Sequence, residues 1–128
     1  MSRYILATVV AATWIAASEF IRNSLLFQSL WEEHYKSLGL IFPNAPTNGM
    51  VWLLWSLVFA AVIVSLAQRF SWLQASTLAW STGFVMMWLV IGNLGVLPIK
   101  LLVYAIPLSL IEAGGAAWIG KRIGPTSA

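Results

Sequence analysis

Four long apolar segments alternate with short polar stretches along the chain, and this alternation is the strongest pattern in the sequence. A helix that crosses the roughly 30 Å hydrocarbon core of a bilayer needs about 20 mainly apolar residues. The segments therefore predict four membrane-spanning helices, with approximate ranges 4–27, 50–67, 72–92 and 99–119. The predicted fold is an all-α integral membrane four-helix bundle, which forms a single transmembrane domain over residues 1–128.

The connection between spans one and two covers residues 28–49 and is the longest polar interruption. We expect span one to continue into it as a helix, in which Glu32 and Lys36 are four residues apart and predict an ion pair. Gly39 predicts the end of that helix, and Asn48-Gly49 predicts a turn before span two. Aromatic rings suit the headgroup layer, and this segment contains Trp31, Tyr35 and Phe42. The segment is predicted to be a cap on the outer membrane surface, either an interfacial anchor or a substrate lid.

Basic residues at the ends of the segments predict the orientation of the bundle. Those on the side of the two termini are Arg3, Arg69, Lys121 and Arg122. Only Lys36 and Lys100 fall on the opposite side. Because cytoplasmic loops carry the excess of basic residues, we expect both termini in the cytoplasm of a multi-pass protein of a bacterial inner membrane. A signal-peptide interpretation of the N-terminus is disfavoured, since apolar residues resume after Ser18.

The composition excludes several classes of function. The chain is 60% hydrophobic and 9% charged, and it contains neither cysteine nor aspartate. It has no phosphate-binding, zinc-protease or serine-hydrolase motif, and its basic residues form no stripe that would bind nucleic acid. We therefore expect no enzymatic activity, no catalytic residue, no cofactor, no metal and no nucleic-acid partner. Membrane lipids are expected partners, together with a protein partner or a second copy of the chain.

Polar residues inside the first span form the first candidate site. Glu19, Arg22 and Asn23 are spaced three and four residues apart and therefore share one helix face. Asn93, at the end of span three, reaches the same depth, so the four residues predict a polar cluster in the outer leaflet. One interpretation is an ion pair that fixes helix packing, with Arg22 extending to the outer headgroups. The other is a ligand or ion pocket that opens outward.

Glu112, in span four, is the second candidate. It lies something like 10 Å deeper than Glu19 at 1.5 Å per residue, so the two are not expected to form a carboxylate pair. No cation is evident near it, and the expected hydrogen-bond partners are Thr77, Ser81 and Ser109. Three roles remain open: proton coupling, a hydrogen bond that links two helices, or extension toward the basic residues at the end of span four.

Span four also carries small residues at strict four-residue spacing. They are Ala105, Ser109, Ala113 and Ala117. Small residues at this spacing let helices approach closely. We expect them to pack inside the bundle, and a dimer interface is the alternative.

Three stretches resemble a family of small bacterial four-span membrane proteins that is known only as a domain of unknown function. They are residues 20–39, the Gly83-Phe84-Val85 sequence, and the polar-interrupted fourth span. This resemblance implies the four-span fold and no activity, and residues 18–23 depart from the usual pattern of the family. A second likeness, to small multidrug-resistance exporters with a glutamate in their first helix, assigns that position to Glu19. The long first connection and Arg22 depart from that pattern.

Two functions fit these features. The first is a non-enzymatic interaction or accessory subunit that is stabilised by polar contacts within the membrane. We expect this one, because a Glu19 neutralised by Arg22 is better suited to packing than to proton exchange. The alternative is a small homo-oligomeric carrier or channel for a polar or cationic solute, with proton coupling through Glu19 or Glu112.

Overall fold

The computed structural model describes residues 1–126, and this part of the chain contains helices and no β-strand. Four helices are long and apolar enough to cross a membrane, and a shorter helix follows the first of them. In chain order they are α1 (Arg3–Leu26), α2 (Gln28–Ser37), α3 (Pro46–Arg69), α4 (Trp72–Asn93) and α5 (Ile99–Ile123). The predicted all-α bundle of four membrane helices is confirmed.

The C-terminal helix α5 packs against α1, α3 and α4. Its four evenly spaced small residues are all buried, so they pack inside the bundle as predicted. The closest approach is at Gly120, where an added Cβ would lie 2.9 Å from the Cβ of Ala67 and 3.3 Å from the Cα of Val64. Glycine is therefore required at this crossing of α3 and α5.

The buried face of α1 includes charged residues. Ala7, Ala11, Ile15, Glu19 and Arg22 follow one another at three- or four-residue spacing, and all five are buried. The packing face of α1 therefore begins as an apolar stripe and becomes ionic in its last two turns. This change places the candidate site between helices and away from the lipid.

The helix in the cap differs from its prediction in how it begins and agrees in how it ends. Span one does not continue into it, because Phe27 (φ −126°, ψ 18°) leaves the helical conformation between α1 and α2. Glu32 accepts a hydrogen bond from Gln28 Nε2 at 2.6 Å, and no ion pair joins it to Lys36 among the described residues. Gly39 does end α2, with a φ of +72° that favours glycine.

The start of α3 was predicted too late. Pro46 occupies the first turn, where its missing N–H costs no helical hydrogen bond. The side chain of Asn48 accepts a hydrogen bond from the Ala45 N–H at 3.0 Å, which satisfies an otherwise free donor at the helix start. Asn48-Gly49 is therefore part of the helix, and the predicted turn at this point is wrong.

Candidate functional site

Two π-helical turns mark the site. One is Ile21–Leu26, at the end of α1, and the other is Ser81–Val85, in the middle of α4. Such turns are rare in proteins, and those that do occur are often at functional sites. They meet in the bundle, because the Arg22 guanidinium carbon lies 5.4 Å from the ring centroid of Phe84. The widened turns thus hold a cation against an aromatic ring in the core.

Within α1, Glu19 is bound by donors on both carboxyl oxygens. Arg22 Nη2 donates to Oε1 at 2.5 Å, and Asn23 Nδ2 donates to Oε2 at 2.9 Å. The predicted cluster on one face of span one is therefore present for these three residues. Both carboxyl oxygens of Glu19 therefore have a hydrogen-bond donor from its own helix, and one of the two donors is charged.

Arg22 also contacts the second candidate carboxyl group. Its Nη1 lies 3.8 Å from Oε1 of Glu112, on α5. Arg22 is only 5% exposed, so its predicted extension to the outer headgroups is wrong. The prediction that Glu112 has no cation nearby is wrong as well. A single guanidinium therefore lies within ion-pair distance of two carboxyl groups from different helices.

The direction of side chains on antiparallel helices explains this contact. The N-terminus of α1 meets the C-terminus of α5, and the Trp14 indole N–H donates to the backbone oxygen of Glu112 at 2.9 Å. Glu112 is therefore level with Trp14, which lies about 7.5 Å before Glu19 along α1 at 1.5 Å per residue. Side chains lean toward the N-terminus of their own helix. Arg22 and Glu112 therefore lean toward each other and bridge the predicted difference in depth.

Glu112 is fully buried, and neither of its carboxyl oxygens accepts a hydrogen bond from any residue in 1–126. Its carboxyl group and that of Glu19 meet at the Arg22 guanidinium, so the expected difference in depth does not keep them apart. The pair is also asymmetric, because Glu19 has all the donors and Glu112 has none.

The three hydroxyl groups expected to bind Glu112 make no hydrogen bond to it. Thr77 Oγ1 donates to the Leu73 carbonyl at 2.9 Å, and Ser81 is exposed. Ser109 is buried, but it donates to the Ile106 carbonyl and accepts from the Trp80 indole N–H at 2.9 Å. Serine and threonine in helices commonly bond to a carbonyl of the preceding turn, and this local bond competes with partners on other helices.

Asn93 does not join the cluster. It is exposed at the end of α4, because depth along a helix does not fix the direction of a side chain around the axis. The residue that sequence reasoning missed is Trp31, in α2. Its indole N–H donates to Oδ1 of Asn23 at 3.1 Å. No spacing rule connects these two residues, since the break at Phe27 sets the course of α2.

The charges of the cluster do not balance. Glu19 and Glu112 contribute two carboxyl groups, and Arg22 contributes the only cation paired with them in the described chain. An uncompensated ion in a buried site costs several kcal/mol. No group of three or more metal-binding side chains occurs in residues 1–126. A proton, or a monovalent cation, is the simplest charge that neutralises the cluster.

A groove leads to the cluster from the side of α3. It has a volume of about 480 Å³, which lies within the range of small-molecule sites, and Glu19 and Asn23 are on its wall. The opposite wall is apolar and includes Met50, Trp52 and Leu53. Glu112 does not line the groove, so the two carboxyl groups differ in access as well as in hydrogen bonding.

Comparison of the chain with protein-family models, curated proteins and solved structures finds no match. The resemblance to the four-span family of unknown function stays a prediction.

Proposed function

We propose that the protein is a small membrane carrier that binds one exchangeable proton at the Glu19–Arg22–Glu112 cluster and couples it to a polar or cationic solute. The observation that supports this proposal is the sharing of one guanidinium by two buried carboxyl groups. Ionisable groups inside a membrane protein commonly mark the path of an ion or a proton.

The cluster supplies two positions for the proton. Glu112 is enclosed and has no donors, so the neutral carboxylic acid is favoured there. Glu19 lies on the wall of the groove, so a proton on Glu19 exchanges with the contents of the groove. Because one guanidinium contacts both carboxyl groups, the proton has two alternative positions within the same cluster.

A cationic solute and the proton compete to neutralise the surplus negative charge of the cluster. When the proton leaves, the cluster carries a net charge of −1, counted from two carboxylates and one guanidinium. A cation in the groove beside Glu19 would then balance it. This competition supplies the coupling between solute and proton. Following the basic residues at the helix ends, we place the carrier in a bacterial cell membrane with both termini in the cytoplasm.

Reconstitution in liposomes that enclose a pH-sensitive dye tests the proposal. Proton flux is measured under an imposed potassium diffusion potential, and again after addition of ammonium, methylammonium or tetramethylammonium. We expect the natural chain to raise proton flux in at least one of these conditions. Glu112→Gln and Glu19→Gln should each reduce it by at least tenfold, since each removes the surplus carboxyl group.

The matched control is Glu33→Gln, which makes the same chemical change at an exposed position of α2. It should leave the flux unchanged. If the natural chain gives no more flux than protein-free liposomes in every condition, the carrier proposal fails.

A non-enzymatic accessory subunit is the second candidate function. The observation that favours it is the self-contained bonding of Glu19, whose oxygens are both satisfied by residues of its own helix. Such a network fixes the packing of α1 without any ligand. In that case Glu19→Gln and Glu112→Gln would lower the stability of the bundle or its capture of a partner, with no flux to lose.

A further inference from the structure

We infer that Trp31 is a positioning residue that decides which of the two buried carboxyl groups holds the proton. The inference rests on the proposed function, because it concerns the proton that the carrier would exchange. It depends on a chain of hydrogen bonds that runs from the indole of Trp31 through the amide of Asn23 to the carboxylate of Glu19.

The chain of bonds permits only one orientation of the Asn23 amide. An indole N–H is a donor only, so the atom of Asn23 that meets Trp31 must be the carbonyl oxygen. The amide nitrogen must then face Glu19, where it donates to Oε2 at 2.9 Å and to the backbone oxygen at 3.2 Å. An ionised carboxylate is an acceptor only, so Glu19 and Trp31 require the same orientation of the Asn23 amide.

This orientation assigns the proton to Glu112. With Arg22 on one oxygen and Asn23 on the other, Glu19 is stabilised as the carboxylate. Glu112 has no donor from the described residues and therefore carries the proton. Because Glu112 is fully buried, this proton has no contact with solvent. In this state the proton is stored away from the groove.

Loss of the indole bond would release the amide. Asn23 could then rotate and turn its carbonyl oxygen toward Glu19, where it would accept a hydrogen bond from a protonated carboxyl group. The favoured position of the proton would move from Glu112 to Glu19, which lies on the groove. The hydrogen bond from Trp31 thus keeps the proton on Glu112, and its loss moves the proton to Glu19, where it can exchange.

The position of Trp31 gives the cap control over this step. Its ring stacks on Phe42 with centroids 5.7 Å apart, so it is packed against the segment that follows α2. The same helix is fixed to the connection between α4 and α5 by the His34 Nε2 contact with the Gly95 oxygen at 2.7 Å. A displacement of the cap would break the indole bond and open proton exchange on the groove side.

Infrared spectroscopy of the full chain in lipid vesicles tests this inference through the C=O band of a protonated carboxyl group. Trp31→Phe keeps the ring and removes only the N–H. We expect its carboxylic acid band to exchange with deuterium at least tenfold faster than in the natural chain, and to lie at lower frequency because the acid is now hydrogen-bonded. Asn23→Ala should change the exchange rate in the same direction.

Trp72→Phe is the matched control, since it removes an indole N–H that donates to the Gly114 carbonyl at 2.9 Å. It should leave the band and its exchange unchanged. A band that is present in the natural chain and unaffected in Trp31→Phe and Asn23→Ala would overturn the inference and leave the carrier proposal standing. A natural chain without any carboxylic acid band would overturn the bound proton itself.

Discussion

Replacement of Arg22 by methionine tests the ionic core most severely. Methionine is unbranched and uncharged, so the variant keeps part of the aliphatic side chain and removes the only cation that pairs with Glu19 and Glu112 among the described residues. Removing one partner of a buried ion pair costs about 3–5 kcal/mol, because the remaining charge is left uncompensated. Loss of the contact with the Phe84 ring adds about 0.5–2 kcal/mol. We therefore expect the free energy of unfolding to fall by at least about 3 kcal/mol.

Unfolding by sodium dodecyl sulfate in mixed micelles, followed by far-ultraviolet circular dichroism, measures this loss. The double variant Arg22→Met/Glu19→Gln provides the internal check. It removes one carboxyl group together with the guanidinium, so a single protonated Glu112 leaves the cluster neutral. We expect it to recover at least half of the stability that the single variant loses.

Arg122→Met is the matched control, because Arg122 is exposed and also lies over an aromatic ring, with its guanidinium carbon 5.7 Å from the Trp118 centroid. It pairs with no carboxyl group among the described residues. If Arg22→Met is no more destabilising than Arg122→Met, the Arg22 guanidinium does not stabilise a buried ionic cluster. A double variant that is less stable than Arg22→Met alone would show that Glu19 is not left as a surplus charge.

Two further predictions concern the packing and the orientation of the bundle. Gly120→Ala should lower the free energy of unfolding by about 1–3 kcal/mol through overpacking against Ala67, whereas Gly114→Ala, whose Cβ would meet only a ring atom at 3.5 Å, should have no such effect in the same assay. The chain has no cysteine, so single substitutions report topology cleanly. A membrane-impermeant maleimide should label Ser37→Cys in intact cells and label Ser2→Cys only after lysis; the reverse pattern would contradict the proposed orientation.

The architecture could be predicted from hydrophobicity because each span is long enough to cross a bilayer and few charges interrupt it. The ends of the helices were less predictable. Asn48-Gly49 has the composition of a turn, but after Pro46 it forms the first turn of α3. The break at Phe27 had no signal of its own, and it sets the path of α2 and therefore the position of Trp31.

The candidate site was predictable only where one helix supplied all of it. The spacing of Glu19, Arg22 and Asn23 places them together whatever the rest of the fold does. Contacts between helices depend on rotation about each axis and on the lean of the side chains. Neither can be read from distance along the chain, which is why Asn93 was included and the contact of Arg22 with Glu112 was missed.

The proposed carrier requires that the cluster hold one proton, because it has one carboxyl group more than it has cations. Infrared spectra at neutral pH of the natural chain, Glu112→Gln and the exposed control Glu33→Gln detect this proton. We predict one protonated carboxyl group per chain in the natural protein and in Glu33→Gln, and none in Glu112→Gln. A natural chain with every carboxyl group ionised, or a band that persists in Glu112→Gln, would contradict a proton bound at the cluster.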